Sequence, residues 1–284
     1  MKQVLILLFL SVTINSFSQN FKAKVDSIYD FHPHKMSDEE QRKIFKKLDV
    51  FFEMVIADTG KYLPLLRQEL NTEDHTSYFY YDAAHLLIIN SESSSDLNLA
   101  VKSFVKSDIR DLSPKNYVNL LMGLAKKGIN ITDAAVKILS DSTFSFFIPQ
   151  HAMTFNQGYC LLFCLSPLPV DYYTDTLISI FRETNSIVTQ KSIITTLWFS
   201  YSCKGDEFLN SLTPSNTLDK KVSKYAKDLL GRILSKEYED IMEDLDSEEL
   251  NKMFDSGDLL RFSDESIHYL NLMVKLKRKK LNCR

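Results

Sequence analysis

Apolar residues recur at helical spacing along most of the chain. Phe51, Phe52, Val55 and Ile56 share one helix face, at i, i+1, i+4 and i+5. The pattern returns as Ala83, Ala84, Leu87 and Ile88, then as Leu120, Leu121, Leu124 and Ala125. It appears again as Cys160, Leu161, Cys164, Leu165 and Leu168, with Pro167 ending that helix before the last of these. Ile193, Ile194, Leu197, Trp198 and Tyr201 follow, and Ala226, Leu229, Leu230 and Ile233 repeat the face with some slippage. Successive starts are about 35 residues apart, a period used by helical solenoids. Shorter amphipathic segments lie between them, at 61–70, 96–105, 133–139, 171–181 and 206–212. Each unit is thus a long helix, a turn and a short helix. One such hairpin cannot cover its own apolar stripe, whereas stacked hairpins bury the stripes continuously.

The punctuation between these segments is helical. Ser37-Asp38-Glu39-Glu40 is a capping box that opens the helix running to Ile56. Ser113 followed by Pro114 places an N-cap before Pro at N1, and Gly128 closes the same helix. Asp246 with Glu249 forms another capping pair, and Ser263 with Asp264 and Glu265 opens a last helix. That helix ends in Lys275, Lys277, Arg278, Lys279 and Lys280, positive charge that complements its dipole. Two stretches break the register. Residues 142–155, with Phe144, Phe146, Phe147, Ile148 and Pro149, read as an irregular hydrophobic insertion. Residues 236–249 replace the apolar pattern with acidic side chains, from Glu237 to Glu249.

Residues 222–234, Val-Ser-Lys-Tyr-Ala-Lys-Asp-Leu-Leu-Gly-Arg-Ile-Leu, carry the most detailed likeness to a known repeat. The segment resembles the first helix of a HEAT-like or armadillo-like repeat, where Val-Arg-x-x-Ala-x-x-Ala-Leu-Gly is usual. Ser223 replaces the Arg and Leu229 the second Ala. Residues 190–201 follow the pattern less closely, with Trp198 at the Gly position. The tetratricopeptide set of Trp, Leu-Gly and Tyr is absent. The resemblance implies an all-α fold, an α-solenoid of roughly six stacked hairpins. The alternative is an irregular multi-helical domain.

Composition narrows the class. Hydrophobic residues make up 44 % and charged residues 25 % of the 284 residues, values of a folded globular chain. Only 7 Gly and 7 Pro are present, too few turn residues for a many-stranded β protein. A net charge of −3 supplies no field toward nucleic acid.

The N-terminus has the layout of a secretory signal peptide. Lys2 precedes an apolar run at 4–12, and Ser16 and Ser18 stand at −3 and −1 to a cut before Gln19. The run is short of the roughly 20 residues of a membrane span, and no later stretch supplies one. The expected organisation is a signal peptide at 1–18, a linker or short helix at 19–36, a repeat domain at 37–236, and an acidic then basic helical cap at 237–284. The expected location is secreted or periplasmic. Export permits disulfides, but Cys160, Cys164, Cys203 and Cys283 form neither CxxC nor a zinc spacing and read as reduced, packed thiols.

Catalytic motifs are missing: there is no GxSxG, HExxH, GxGxxG or Walker A sequence. His32-Pro33-His34 near Asp30 is the one compact histidine cluster, with no third and fourth ligand evident. His85 reads as a structural histidine, and His75, His151 and His268 have no partner visible in the sequence. Asp244, Asp246 and Glu248 alternate, but the Gly and Glu of an EF-hand loop are missing. No catalytic, cofactor-binding or metal-binding residue is therefore assigned. Tyr78, Tyr80, Tyr81, Tyr172, Tyr173 and Tyr201 are the candidate binding-surface residues, because Tyr buries area with little lost rotamer freedom. The expected function is an exported module that binds a protein or peptide, rather than an enzyme. The alternatives are a periplasmic inhibitor or immunity-type partner of a toxin or enzyme, and an enzyme or carbohydrate-binding helical protein using the carboxylates of the acidic run.

Overall fold

The computed structural model describes residues 18–31, 36–148, 153–200, 202–212 and 219–231. These residues form an all-α, multi-helical protein with one two-stranded hairpin. No helix among them is long and apolar enough to cross a membrane. The chain divides into two compact units, Met1–Leu112 and Ser113–Arg284.

The first unit contains α1 (18–29), α2 (Asp38–Ala57), α3 (Thr59–Thr72), α4 (Ser77–Asn90) and α5 (Ser94–Lys106). The Ser37 capping box opens α2: the Ser37 amide donates to Glu40 Oε2 at 2.8 Å, and the Ser37 hydroxyl accepts from the Glu40 amide. α2 packs on α3 and α4, and α3 packs on α4 and α5. The expected stripe is buried at Phe51 and Val55, and at Ala83, Ala84 and Leu87. α4 is apolar around most of its circumference because neighbours surround it. The segment expected as a linker or short helix is α1 over its first eleven positions, 19–29, and it buries Phe21, Val25, Ile28 and Tyr29. Tyr29 meets Phe51 and Phe79 edge-on, at 6.0 and 5.2 Å. Arg67 of α3 grips Asp96 of α5 with two 2.6 Å hydrogen bonds. That guanidinium holds the Asp96 carboxyl below its ordinary range.

The second unit contains α6 (Pro114–Lys126), α7 (Thr132–Ala135), a 3-10 turn (Val136–Ser140), β1 (Phe146–Ile148), β2 (Met153–Phe155), α8 (Gln157–Leu165), α9 (Thr174–Glu183), α10 (Ile187–Ser200), α11 (Cys203–Ser211) and α12 (Lys220–Gly231). Pro114 stands at N1 of α6, and Gly128 takes a φ of 78° just beyond its end, where a side chain would be strained. α8 packs on α6 and on α10, and α10 packs on α12, so the longer helices succeed one another as the register implies. α9 and α11 pack together and against α10. The stripe positions Leu121, Leu124, Ala125, Cys160, Leu161, Cys164, Leu165, Ile193, Ile194, Leu197 and Ala226 are buried.

Two expectations change. The insertion at 142–155 is an antiparallel hairpin, with Phe146 opposite Phe155 and their rings stacked at 5.3 Å. Phe144 and Phe146 are buried while Ser145 and Phe147 are exposed, the alternation of a half-buried strand. Cys160 and Cys164 are free and buried as expected, but Cys203 is disulfide-bonded, which corrects the reading of four reduced thiols. The Pro33 cluster's histidines, the acidic run at 237–249 and the basic tail at 275–280 lie outside the described residues.

Candidate functional site

The tyrosines singled out by sequence divide by environment. Tyr80 belongs to the buried face of α4; its hydroxyl donates to the Glu73 carbonyl and accepts from the His75 amide. Tyr173 is buried at the start of α9, and burial pushes its hydroxyl up to about 12. Tyr81 is half-buried edge-on to Phe104 at 6.0 Å, and Tyr78 stacks on Phe31 at 5.2 Å. Tyr172 stands 48 % exposed in the turn before α9. Tyr201 lies outside the described residues.

A different set of apolar side chains faces solvent in the first unit. Phe45 is 59 % exposed and Ile56 49 % exposed on α2. Phe45, Phe52 and Ile56 fall on one face of the helix, since seven and eleven residues are close to two and three whole turns. Phe52 and Ile56, expected within the buried stripe, thus lie beside it rather than in it: α2 buries Phe51 and Val55, while Phe52 is half-buried and Ile56 exposed. Phe52 meets the His85 ring of α4 at 5.8 Å, and Ile89, one turn beyond His85, is 51 % exposed. Burial lowers the His85 pKa, so the imidazole beside Phe52 is held neutral at physiological pH. The two helices thus present apolar side chains around a half-buried aromatic pair. The spacing of Phe45, Phe52 and Ile56 was readable in the sequence, but a second apolar stripe on a helix looks like a wider core face until burial is known.

Two other features bear on chemistry. In the second unit, a shallow cleft of about 530 Å³ runs between α9 and α11. Within it Lys204 pairs with Asp175, and Arg182 lies over the Phe208 ring at 5.8 Å. In the first unit, the Tyr29 hydroxyl donates to Asp82 Oδ2 at 2.9 Å. Burial pushes the Asp82 carboxyl up to about 7, against the opposing pull of that hydrogen bond. The Tyr29 hydroxyl is thereby committed to the Asp82 carboxyl, and the contact ties α1 to α4. The chain matches no protein-family model, no curated protein and no solved structure.

Proposed function

We propose that the chain is an exported binding module that engages a protein or peptide through the apolar face of α2 and α4. The observation that carries this reading is the exposure of Phe45, Ile56 and Ile89 around the Phe52–His85 pair. Large apolar side chains grouped at a surface cost solubility and are retained where a partner covers them. Aromatic anchors bordered by charge, here Lys46, Lys47 and Glu53 on α2, are the usual composition of such contacts.

The helix-on-helix succession suits a HEAT-like or armadillo-like array, which offers long surfaces of this kind. Two features support export: the signal-like leader and the disulfide at Cys203, a bond that persists in oxidising compartments. Such a location also favours a partner that is itself exported.

The test is affinity capture of the full chain from its own cells, repeated with Phe45→Asp combined with Ile89→Asp. A partner retained by the wild type and lost at least tenfold by the variant is the expected result, with unfolding midpoints within a few degrees of each other. Equal capture by both proteins overturns the assignment of this face.

A further inference from the structure

Three elements of the first unit converge on a polar cluster that the surface reading does not use. α1 contributes Lys22 and Asp26, α3 contributes Glu69, and the turn that follows contributes Glu73 and His75. One ligand-type atom each from Asp26, Glu69 and His75 lie within 4.8 Å of one another. Glu69 Oε1 and His75 Nε2 are 3.0 Å apart. Both atoms are buried and neither makes a hydrogen bond: they are close, but not aligned as donor and acceptor. Glu69 is only 5 % exposed, so an unmet oxygen there is costly. Burial pushes the Glu69 carboxyl up and the His75 imidazole down. The imidazole is therefore held neutral, its metal-binding form. Its position is fixed by the Phe79 ring at 4.1 Å and by the His75 amide, which donates to the Tyr80 hydroxyl at 3.1 Å. Among the described residues, the Lys22 ammonium lies within ion-pair distance of the carboxylates, its Nζ 3.8 Å from Glu69, 3.6 Å from Asp26 and 3.3 Å from Glu73, while Lys106 acts on His75 from beyond the Tyr80 hydroxyl. At 3.8 Å Lys22 gives Glu69 Oε1 charge but no hydrogen bond.

We propose that Asp26, Glu69 and His75 form a binding site for one divalent transition-metal ion, which displaces the Lys22 ammonium. Two donors each about 2.1 Å from an ion lie about 3 Å apart at a right angle and about 3.4 Å apart at the tetrahedral angle, so the 3.0 Å Glu69–His75 separation suits a five-coordinate ion as it stands and a tetrahedral one after a shift of a few tenths of an ångström. Imidazole combined with carboxylates suits zinc and its first-row neighbours better than calcium or magnesium. Asp26 is exposed on α1 and closes the remaining distance by changing rotamer. Moving Lys22 aside frees Glu73 as a fourth donor. The ion clamps α1 to α3 and to the turn before α4, so it acts as a structural fastener.

The experiment titrates zinc into the metal-stripped full chain by calorimetry, alongside thermal unfolding and the visible spectrum of the cobalt-loaded protein. One zinc per chain, a raised unfolding midpoint and tetrahedral or five-coordinate cobalt bands are expected. His75→Gln and Glu69→Gln each weaken binding at least tenfold. Lys22→Met, which removes the competing cation, tightens it at least threefold. His32→Gln combined with His34→Gln leaves the affinity unchanged, which separates this site from the His32-Pro33-His34 motif. Zinc binding that survives His75→Gln, or no zinc binding by the wild type, overturns the proposal. Should Glu69→Gln fail to fold, Lys22→Met decides: tighter binding supports the site and unchanged binding refutes it.

Discussion

The two units solve the same packing problem with different polar chemistry. In the first unit the seams between helices contain ionisable groups: Asp96 under Arg67, Asp82 against Tyr29, and Glu69 beside His75. In the second unit the buried polar side chains of the α8–α10 seam are uncharged. Gln157 donates to the carbonyls of Ile138 and Asp141 and accepts from the Ser192 hydroxyl at 2.8 Å. Thr196 and Ser200 donate to carbonyls one turn back on α10, and Thr196 Oγ1 also reaches the Gly158 carbonyl at 3.3 Å. Burying a charge is tolerable only when it is paired, whereas a hydroxyl is satisfied by its own helix. The first unit should therefore lose stability to pH and to removal of a charged partner. The second should respond to volume and hardly to pH.

Arg67→Met is the sharpest way to break that contrast. It leaves the nearly inaccessible Asp96 carboxylate with only the Ser91 hydroxyl, at 2.5 Å. Removing one partner of a fully buried pair costs about 3 to 5 kcal/mol, and with the Arg67 side chain 38 % exposed the expected cost is about 2 to 3 kcal/mol. Because Asp96 titrates below its ordinary range in the wild type, the stability it lends is present at neutral pH and is lost as the pH falls below about 4. Urea titrations should show the largest deficit at pH 7 and a shrinking one toward pH 3. A deficit that does not change with pH would mean that Arg67 acts by packing alone.

Asp82→Asn tests the same idea with the opposite sign. Its carboxyl is raised, to about 7, so the folded protein holds a proton that the unfolded chain has released. The stability contributed is complete below the ordinary carboxylate range and declines as the pH climbs through about 7. A shift of that size corresponds to about 4 kcal/mol in full, and the partial exposure of Asp82 reduces the expected effect to about 2 kcal/mol. Asparagine keeps the acceptor for Tyr29 without the charge. The variant should match the wild type near pH 3 and exceed it by a growing margin up to pH 8, as read by chemical unfolding at several values. A variant that is weaker at all of them would show that the carboxylate is needed.

Much of this architecture was legible in the sequence because helices and their seams are local. The i, i+1, i+4, i+5 register found the buried faces of α2, α4, α6, α8 and α10, and Ser37 and Pro114 marked two helix starts. Tyr80 was read as a binding-surface residue and is buried instead; it stands three residues before Ala83 on the same face, a spacing that already pointed to the core. The hairpin was missed because its strands are three residues each, too short for the period of two to stand out among phenylalanines. The Asp26–Glu69–His75 cluster had no sequence signature at all. Its members come from α1, α3 and the turn beyond, and no spacing rule links residues brought together only by packing.

The smallest effect probes the second unit. Gly158 lies in α8, and a Cβ added there would stand 3.1 Å from Ser192 Cα and 3.4 Å from the Ser192 carbonyl oxygen. Gly123 lies in α6 with nothing within 4 Å of the same added atom. Replacing a helical glycine by alanine gains up to about 1 kcal/mol from the backbone alone, and Gly123→Ala should show that gain. At Gly158 the same gain is opposed by overpacking against backbone, which costs about 1 to 3 kcal/mol. The net expectation is a loss of about 1 kcal/mol, equal at pH 5 and pH 8 because no titrating group is involved. Paired unfolding curves for the two variants therefore read the α8–α10 approach directly. If both alanines stabilise the protein equally, α10 has room to move, and the second unit is held by its hydroxyl seam rather than by the closeness of its helices.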